Sequence, residues 1–166
     1  MKQIGFGTKI LVYPMLCYLS LALPSTAQYL LPDYRSAPEH GSHRLEPGFI
    51  PDPYSVNVVI GGEVSARTSI GGPSCRGFIS VEPDIKLHWN ASEPKPLTIK
   101  VDSDHDTTLV IKDPWSNWLC DDDSGLFLNA KIALTDAKPG RYDVWVGSIS
   151  KESRGSAVVQ ISEIDY

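Results

Sequence analysis

Beyond residue 54 the chain alternates apolar and polar positions in short runs separated by Gly, Pro and Asp. Val56, Val58 and Ile60 lead into Gly61-Gly62, which predicts a hairpin whose second strand covers 63–67. Gly71-Gly72-Pro73 breaks the chain, 77–81 offers a short strand, and Glu82-Pro83-Asp84 reads as a turn. Ile85, Leu87 and Trp89 then point to one side, with Lys86, His88 and Asn90 toward water. Leu97, Ile99 and Val101 repeat the device against Thr98, Lys100 and Asp102. The run 107–112 is nearly solid, with Leu109, Val110 and Ile111, as expected of a central strand. Short strands follow at 118–120 and 130–134. Tyr142, Val144 and Val146 face inward with Asp143 and Trp145 opposite, and Ala157, Val159 and Ile161 close the series. No window keeps a helical period for three turns. The pattern predicts an all-β fold, an antiparallel jelly-roll β-sandwich of about eight to nine strands.

The first 53 residues follow other rules. Lys2 and Lys9, an apolar stretch over 10–23 and the small residues Ser25-Thr26-Ala27 read as a signal peptide spanning 1–27. Pro14 and the short apolar length argue against a membrane span, which needs roughly 20 apolar residues. Residues 28–53 carry Pro32, Pro38, Pro47, Pro51 and Pro53 without an apolar period, the composition of an N-terminal arm. Tyr29, Leu30, Leu31 and Tyr34 are its candidate docking residues. His40 and His43 suggest a metal, but two histidines in such a segment lack third and fourth ligands. The sandwich domain takes 54–166.

Charge and cysteines narrow the setting. The whole chain carries 15 basic and 20 acidic residues. The first 27 residues hold two of the lysines and no acid, so the remainder has a net charge near −7. That balance repels nucleic acid and leaves cations, basic proteins and neutral glycans as partners. Beyond residue 27 two cysteines remain, Cys75 and Cys120, and in an exported chain an even count predicts a disulfide. Export without a membrane span places the protein in the periplasm or outside the cell.

Candidate chemistry concentrates between 101 and 125. Asp102, Asp104 and Asp106 alternate before the central strand, and Asp121, Asp122 and Asp123 follow Cys120. Calcium takes six to eight oxygen ligands, and aspartates with turn carbonyls are its usual donors. The first cluster opens like an EF-hand loop, but its sixth position is Thr107 rather than Gly and a strand follows. The competing reading makes these aspartates turn caps that accept backbone N–H bonds. Trp115, in the turn 113–117, offers a flat apolar face and one N–H to a peptide, glycan or protein. Trp118 sits two residues from Cys120 and is expected beside the disulfide. Neither GxSxG nor HExxH occurs. His105 with Ser103, Ser116 or Ser124 would need an oxyanion hole that the spacing does not supply, so no catalytic residue is assigned. Asn90-Ala91-Ser92 fits a glycosylation sequon, which matters only in a eukaryotic secretory pathway.

The blocks CRGFIS (75–80), DIKLHW (84–89), VDSDHDTTLVIKDP (101–114), NWLCDDDSG (117–125), PGRYDVWVG (139–147) and QISE (160–163), in this order, resemble the bacterial pre-peptidase C-terminal domain and its stand-alone exported relatives. The likeness spans 54–163. It implies a jelly-roll sandwich in a bacterial exported protein, calcium binding in some members, and roles in targeting, stabilisation or substrate engagement rather than hydrolysis.

Together these readings point to an exported, non-catalytic binding module with calcium as its candidate cofactor. Its partner would be a protein, peptide or glycan. The alternatives are an accessory or inhibitor protein of a secreted peptidase, with the Pro-rich arm in contact, and a small hydrolase using His105.

Overall fold

A computed structural model describes residues 30–165; the signal-peptide segment expected at 1–27 lies outside them. The described residues form strands β1 (Ser42–Leu45), β2 (Tyr54–Ile60), β3 (Val64–Ser65), β4 (Phe78–Ile79), β5 (Ile85–Trp89), β6 (Lys95–Asp102), β7 (Thr107–Lys112), β8 (Trp118–Asp121), β9 (Lys131–Ala137), β10 (Gly140–Ser148) and β11 (Gly155–Ser162), with one helical turn, α1 (Ala66–Ser69). The fold is an all-β sandwich of two sheets, richer in strands than the sequence pattern suggested.

The first sheet is built around β10. Asp143 and Val144 pair with Lys86 and Ile85 of β5 on one side and with Lys112 and Ile111 of β7 on the other. Beyond β5 lies β1, in parallel, and beyond β7 lies β8, while β4 meets the far end of β10 at Ser148 and carries β3. The second sheet runs β2-β11-β6-β9, all antiparallel. Alternation along the strands fills the space between the sheets. Ile85, Leu87, Trp89, Leu109, Ile111, Tyr142, Val144 and Val146 meet Val58, Ile60, Leu97, Ile99, Val101, Ala157, Val159 and Ile161 there.

On the first sheet, several residues opposite those positions do not face water. Val110 and Trp145 join Val64, Ala66, Cys75 and Ile79 in a second apolar cluster on the outer face of the first sheet, against Tyr34, Trp118 and Cys120. The Cys75–Cys120 disulfide closes this cluster, and Trp118 packs against Trp145 with ring centroids 5.4 Å apart. Lys86, read from alternation as solvent-facing, is buried and donates to the Ser36 carbonyl. Lys112 is buried as well, over the rings of Tyr34 (4.9 Å) and Trp118 (4.6 Å), and donates to the Ser116 carbonyl. Short strands and arm residues that return over the outer face form this cover, which period-two alternation within one strand cannot anticipate.

Two further expectations change. Gly61-Gly62 does not make a hairpin: β2 pairs with β11, and the chain crosses to the first sheet, where β3 pairs with β4. A Cβ at Gly62 would collide with the Ile79 backbone, so the crossing requires glycine for close approach. The Pro-rich arm is ordered over 30–53. It supplies β1, whose four residues pair in register with 86–89, and amide bonds from Asp33, Glu39 and His40 to the carbonyls of Val81, Pro83 and Asp84 hold its earlier part. Proline excluded helix, but it did not exclude an edge strand between prolines.

Candidate partner-binding surface

The two aspartate clusters fall at one end of the sandwich, around the loop from β8 to β9. Asp121, the last residue of β8, is a turn cap. Its Oδ2 accepts the N–H groups of Ser124 (3.0 Å) and Lys131 (2.9 Å), and its Oδ1 accepts the Ser124 hydroxyl (2.6 Å). Asp122 is ion-paired with Arg76 at 2.7 Å. No basic residue lies near it in sequence; the disulfide brings Arg76, next to Cys75, across to the residues after Cys120. Burial, then the charges of Asp123 and Asp122, push the Asp106 carboxyl above its ordinary range, with Arg76 opposing them. The structure therefore brings Asp106, Asp122 and Asp123 into one electrostatic group.

Asp102 and Asp104 lie apart from that group, lining a shallow depression with Asn57, Ser103 and Ser156. Among the described residues, no three of the six aspartates place ligand atoms within 4.8 Å of one another. Two oxygens of the set are committed to the Asp121 turn.

The loop beyond Asp121 is fixed at its base. Gly125 N–H bonds the Asn129 carbonyl (2.8 Å) and Asn129 N–H bonds the Leu126 carbonyl (3.0 Å). A Cβ on Gly125 would come within 2.5 Å of the Asn129 carbonyl oxygen, so the tight return needs glycine. Buried Asn129 accepts from the Thr107 hydroxyl (3.0 Å) and donates to the Ser103 carbonyl (2.9 Å), while Thr107 Oγ1 accepts the Ala130 N–H (3.0 Å).

On this base stands an apolar tip. Leu126, Phe127 and Leu128 are 74%, 91% and 58% exposed. Phe127 and Leu128 hold φ of 53° and 64°, a region that bulky side chains rarely enter. Strain and exposure of apolar surface both oppose folding, and both fall on consecutive residues. Beside the tip is a cleft of about 270 Å³, with Val101, Leu126 and Phe127 as apolar wall and Lys100, Asp102 and Lys131 as charged rim. The sequence offered a signal for this tip that alternation passes over: three consecutive large apolar residues bounded by Asp-Ser-Gly and Asn, outside any alternating run.

Trp115 is 57% exposed, at the other end of the β7–β8 hairpin. Asp113 Oδ1 accepts the N–H of Trp115 (2.9 Å) and of Asn117 (2.8 Å), which fixes the turn and turns the indole outward. It does not share a surface with the 126–128 tip.

Two of the three serines suggested for a hydrolase are engaged elsewhere. Ser103 Oγ donates to the Ser156 carbonyl (3.1 Å) and accepts the His105 N–H (3.2 Å), and Ser124 is held by Asp121. The His105 ring lies against Gly155, where a Cβ would strike it.

The chain is similar to a pre-peptidase C-terminal domain. That of a collagenase from Bacillus anthracis shares 13% identity with it, covering 78% of this chain and 100% of that one at a TM-score of 0.46. The domain is of the kind that the sequence blocks resemble. A periplasmic inhibitor of g-type lysozyme from Aeromonas hydrophila follows at 10% identity, 74% of this chain, 96% of that one and a TM-score of 0.36. No protein-family model and no curated protein matches the chain. Among the described residues no helix is long and apolar enough to cross a membrane.

Proposed function

We propose that this chain is an exported, non-catalytic module that binds a protein partner through the 126–128 tip. In this reading Phe127 and its two leucine neighbours enter an apolar pocket of the partner. Asp122 and Asp123 face a basic rim around that pocket. The observation that carries the reading is the tip itself: three large apolar side chains, exposed and strained, on a base rigid enough that binding has little ordering entropy to overcome. Aromatic residues in such positions dominate interface energies, while acidic flanks favour encounter with a basic surface.

The test is paired. Phe127→Ser should lower affinity for the partner recovered by cross-linking at position 128 at least about ten-fold, equivalent to about 1.4 kcal/mol. Its melting temperature should stay close to that of the wild type, because the Phe127 side chain is 91% exposed and buries little against the fold. Unchanged affinity would remove the tip from the interface. The inhibitor reading is one outcome of the same experiment, and a partner with peptidase activity that falls on complex formation would establish it.

A further inference from the structure

The ordered arm brings together three side chains that sequence spacing kept apart. Glu39 and His40 lie on the arm, and Asp84 lies in the turn before β5. Main-chain bonds set their register: Glu39 N–H to the Pro83 carbonyl at 2.9 Å, His40 N–H to the Asp84 carbonyl at 2.7 Å, and Asp84 N–H to the Val144 carbonyl at 2.8 Å. With the backbones so placed, one ligand atom from each of Glu39, His40 and Asp84 lies within 4.8 Å of the other two. No other such group occurs among the described residues.

Asp84 is the informative member. Its side chain is 1% exposed, and Oδ2 is occupied by the Val146 N–H at 2.7 Å. Oδ1 is buried with no hydrogen-bond donor and points at the cluster, 3.6 Å from His40 Nε2. Orphaned carboxylate oxygens at that depth are costly, and a cation at this point would supply what the oxygen lacks. The imidazole is prepared for the same role. Val59 N–H donates weakly to His40 Nε2 at 3.3 Å, which assigns the ring proton to Nδ1 and makes Nε2 the lone-pair nitrogen, held by that amide until a cation takes it over. Val59 is on an exposed stretch of the edge strand β2, so its amide can turn to water when Nε2 takes another partner.

We propose that Glu39, His40 and Asp84 form a site for a divalent transition-metal cation, zinc being the best-fitting probe. Two ligands about 2.1 Å from a tetrahedral centre stand roughly 3.4 Å apart, close to the 3.6 Å between His40 Nε2 and Asp84 Oδ1. Exposed Glu39 supplies the third ligand by rotating its side chain, and water completes the set on the open face. A nitrogen donor and a ligand count of three both disfavour calcium, which needs six to eight oxygens. Since the arm contributes two ligands and the sandwich one, the ion pins 30–45 onto the first sheet, and binding free energy becomes docking free energy for the arm.

Isothermal titration of the full chain, purified without a histidine tag and stripped with chelator, tests the site with zinc alone. One zinc per chain is expected at micromolar or tighter Kd, weakened at least about 100-fold in His40→Gln and about 10-fold in Glu39→Gln. Both positions are partly or fully exposed, so these variants keep the fold where Asp84→Asn is the riskier change. Zinc should also slow proteolysis of the arm in the wild type and not in His40→Gln. His105→Gln, at an exposed histidine among aspartates, should bind as the wild type does. No zinc binding at 100 µM, binding retained in His40→Gln, or binding lost in His105→Gln would each overturn the proposal.

Discussion

Two carboxylate-rich places in this molecule are built on opposite terms. Around Asp121 the acids are numerous and largely adjacent in sequence, and two of them are satisfied: one caps a turn with both oxygens and one is paired with Arg76, while Asp106 beside them keeps a buried Oδ1 without a partner. At Asp84 there is a single buried acid with an unmet oxygen, approached by a histidine and a glutamate from a distant part of the chain. Crowding in the sequence thus goes with a turn cap at Asp121, and isolation in the sequence goes with the unmet oxygen of Asp84. Satisfied carboxylates stabilise locally; an unsatisfied one costs stability until something meets it.

The largest expected effect comes from releasing the acidic end from its staple. Replacing Cys75 and Cys120 by serine should cost about 4 kcal/mol in the chain-entropy account of a loop this long. It should also free Arg76 from Asp122, which a double-mutant cycle between those two residues in the oxidised and serine forms would detect as loss of coupling. Coupling unchanged in the serine form would mean that the pair needs no disulfide to meet.

At the other place the effect is a pH slope. Burial raises the Asp84 carboxyl to about 8, with Glu39 adding to the shift and the Val146 N–H opposing it. A native carboxyl that holds its proton more tightly than the unfolded chain does makes folding favourable at low pH. Stability from this group should be complete below pH 4 and decline as pH rises toward 8, by a few kcal/mol in all. Denaturant melts in chelator across that range check it, and Asp84→Asn should flatten the slope. A wild type whose stability rises steadily from pH 5 to 8 would contradict the assignment.

The smallest effects discriminate within the aspartate clusters. Asp121→Ala should cost about 2 kcal/mol, having removed the acceptor for two backbone N–H groups and a hydroxyl. Asp104→Ala should lie within about 0.5 kcal/mol of wild type, as exposed changes usually do. If turn capping is their whole role, melting temperatures in calcium and in chelator will coincide. A rise of several degrees with calcium, lost in Asp106→Asn, would place an ion at Asp106, Asp122 and Asp123 instead.

Period-two alternation was enough for the strands between the sheets, because each such residue answers to one core. It located Ile85, Leu87, Trp89 and the 109–111 run well. It sent Lys86 to water, because a strand carries no local sign that another segment will cover its other face. The same limit hid the arm: β1 is made by pairing with β5, not by propensity. For the candidate sites the contrast is sharper. Trp115 was legible because its turn chemistry is local, with Asp113 two residues away. The Glu39, His40 and Asp84 group was not, since its third member stands more than 40 residues from the second and only the docked arm unites them.

Asn129 has one more consequence. Its amide donates to the Ser103 carbonyl, just past β6 in the second sheet, while its carbonyl oxygen takes the hydroxyl of Thr107, in β7 of the first. A pull applied at Phe127 is therefore divided between both sheets at the loop's first anchor rather than peeling β8 or β9 alone. Such a tether bears load in shear across the sandwich, and under force the contact with a partner should rupture before the loop unravels.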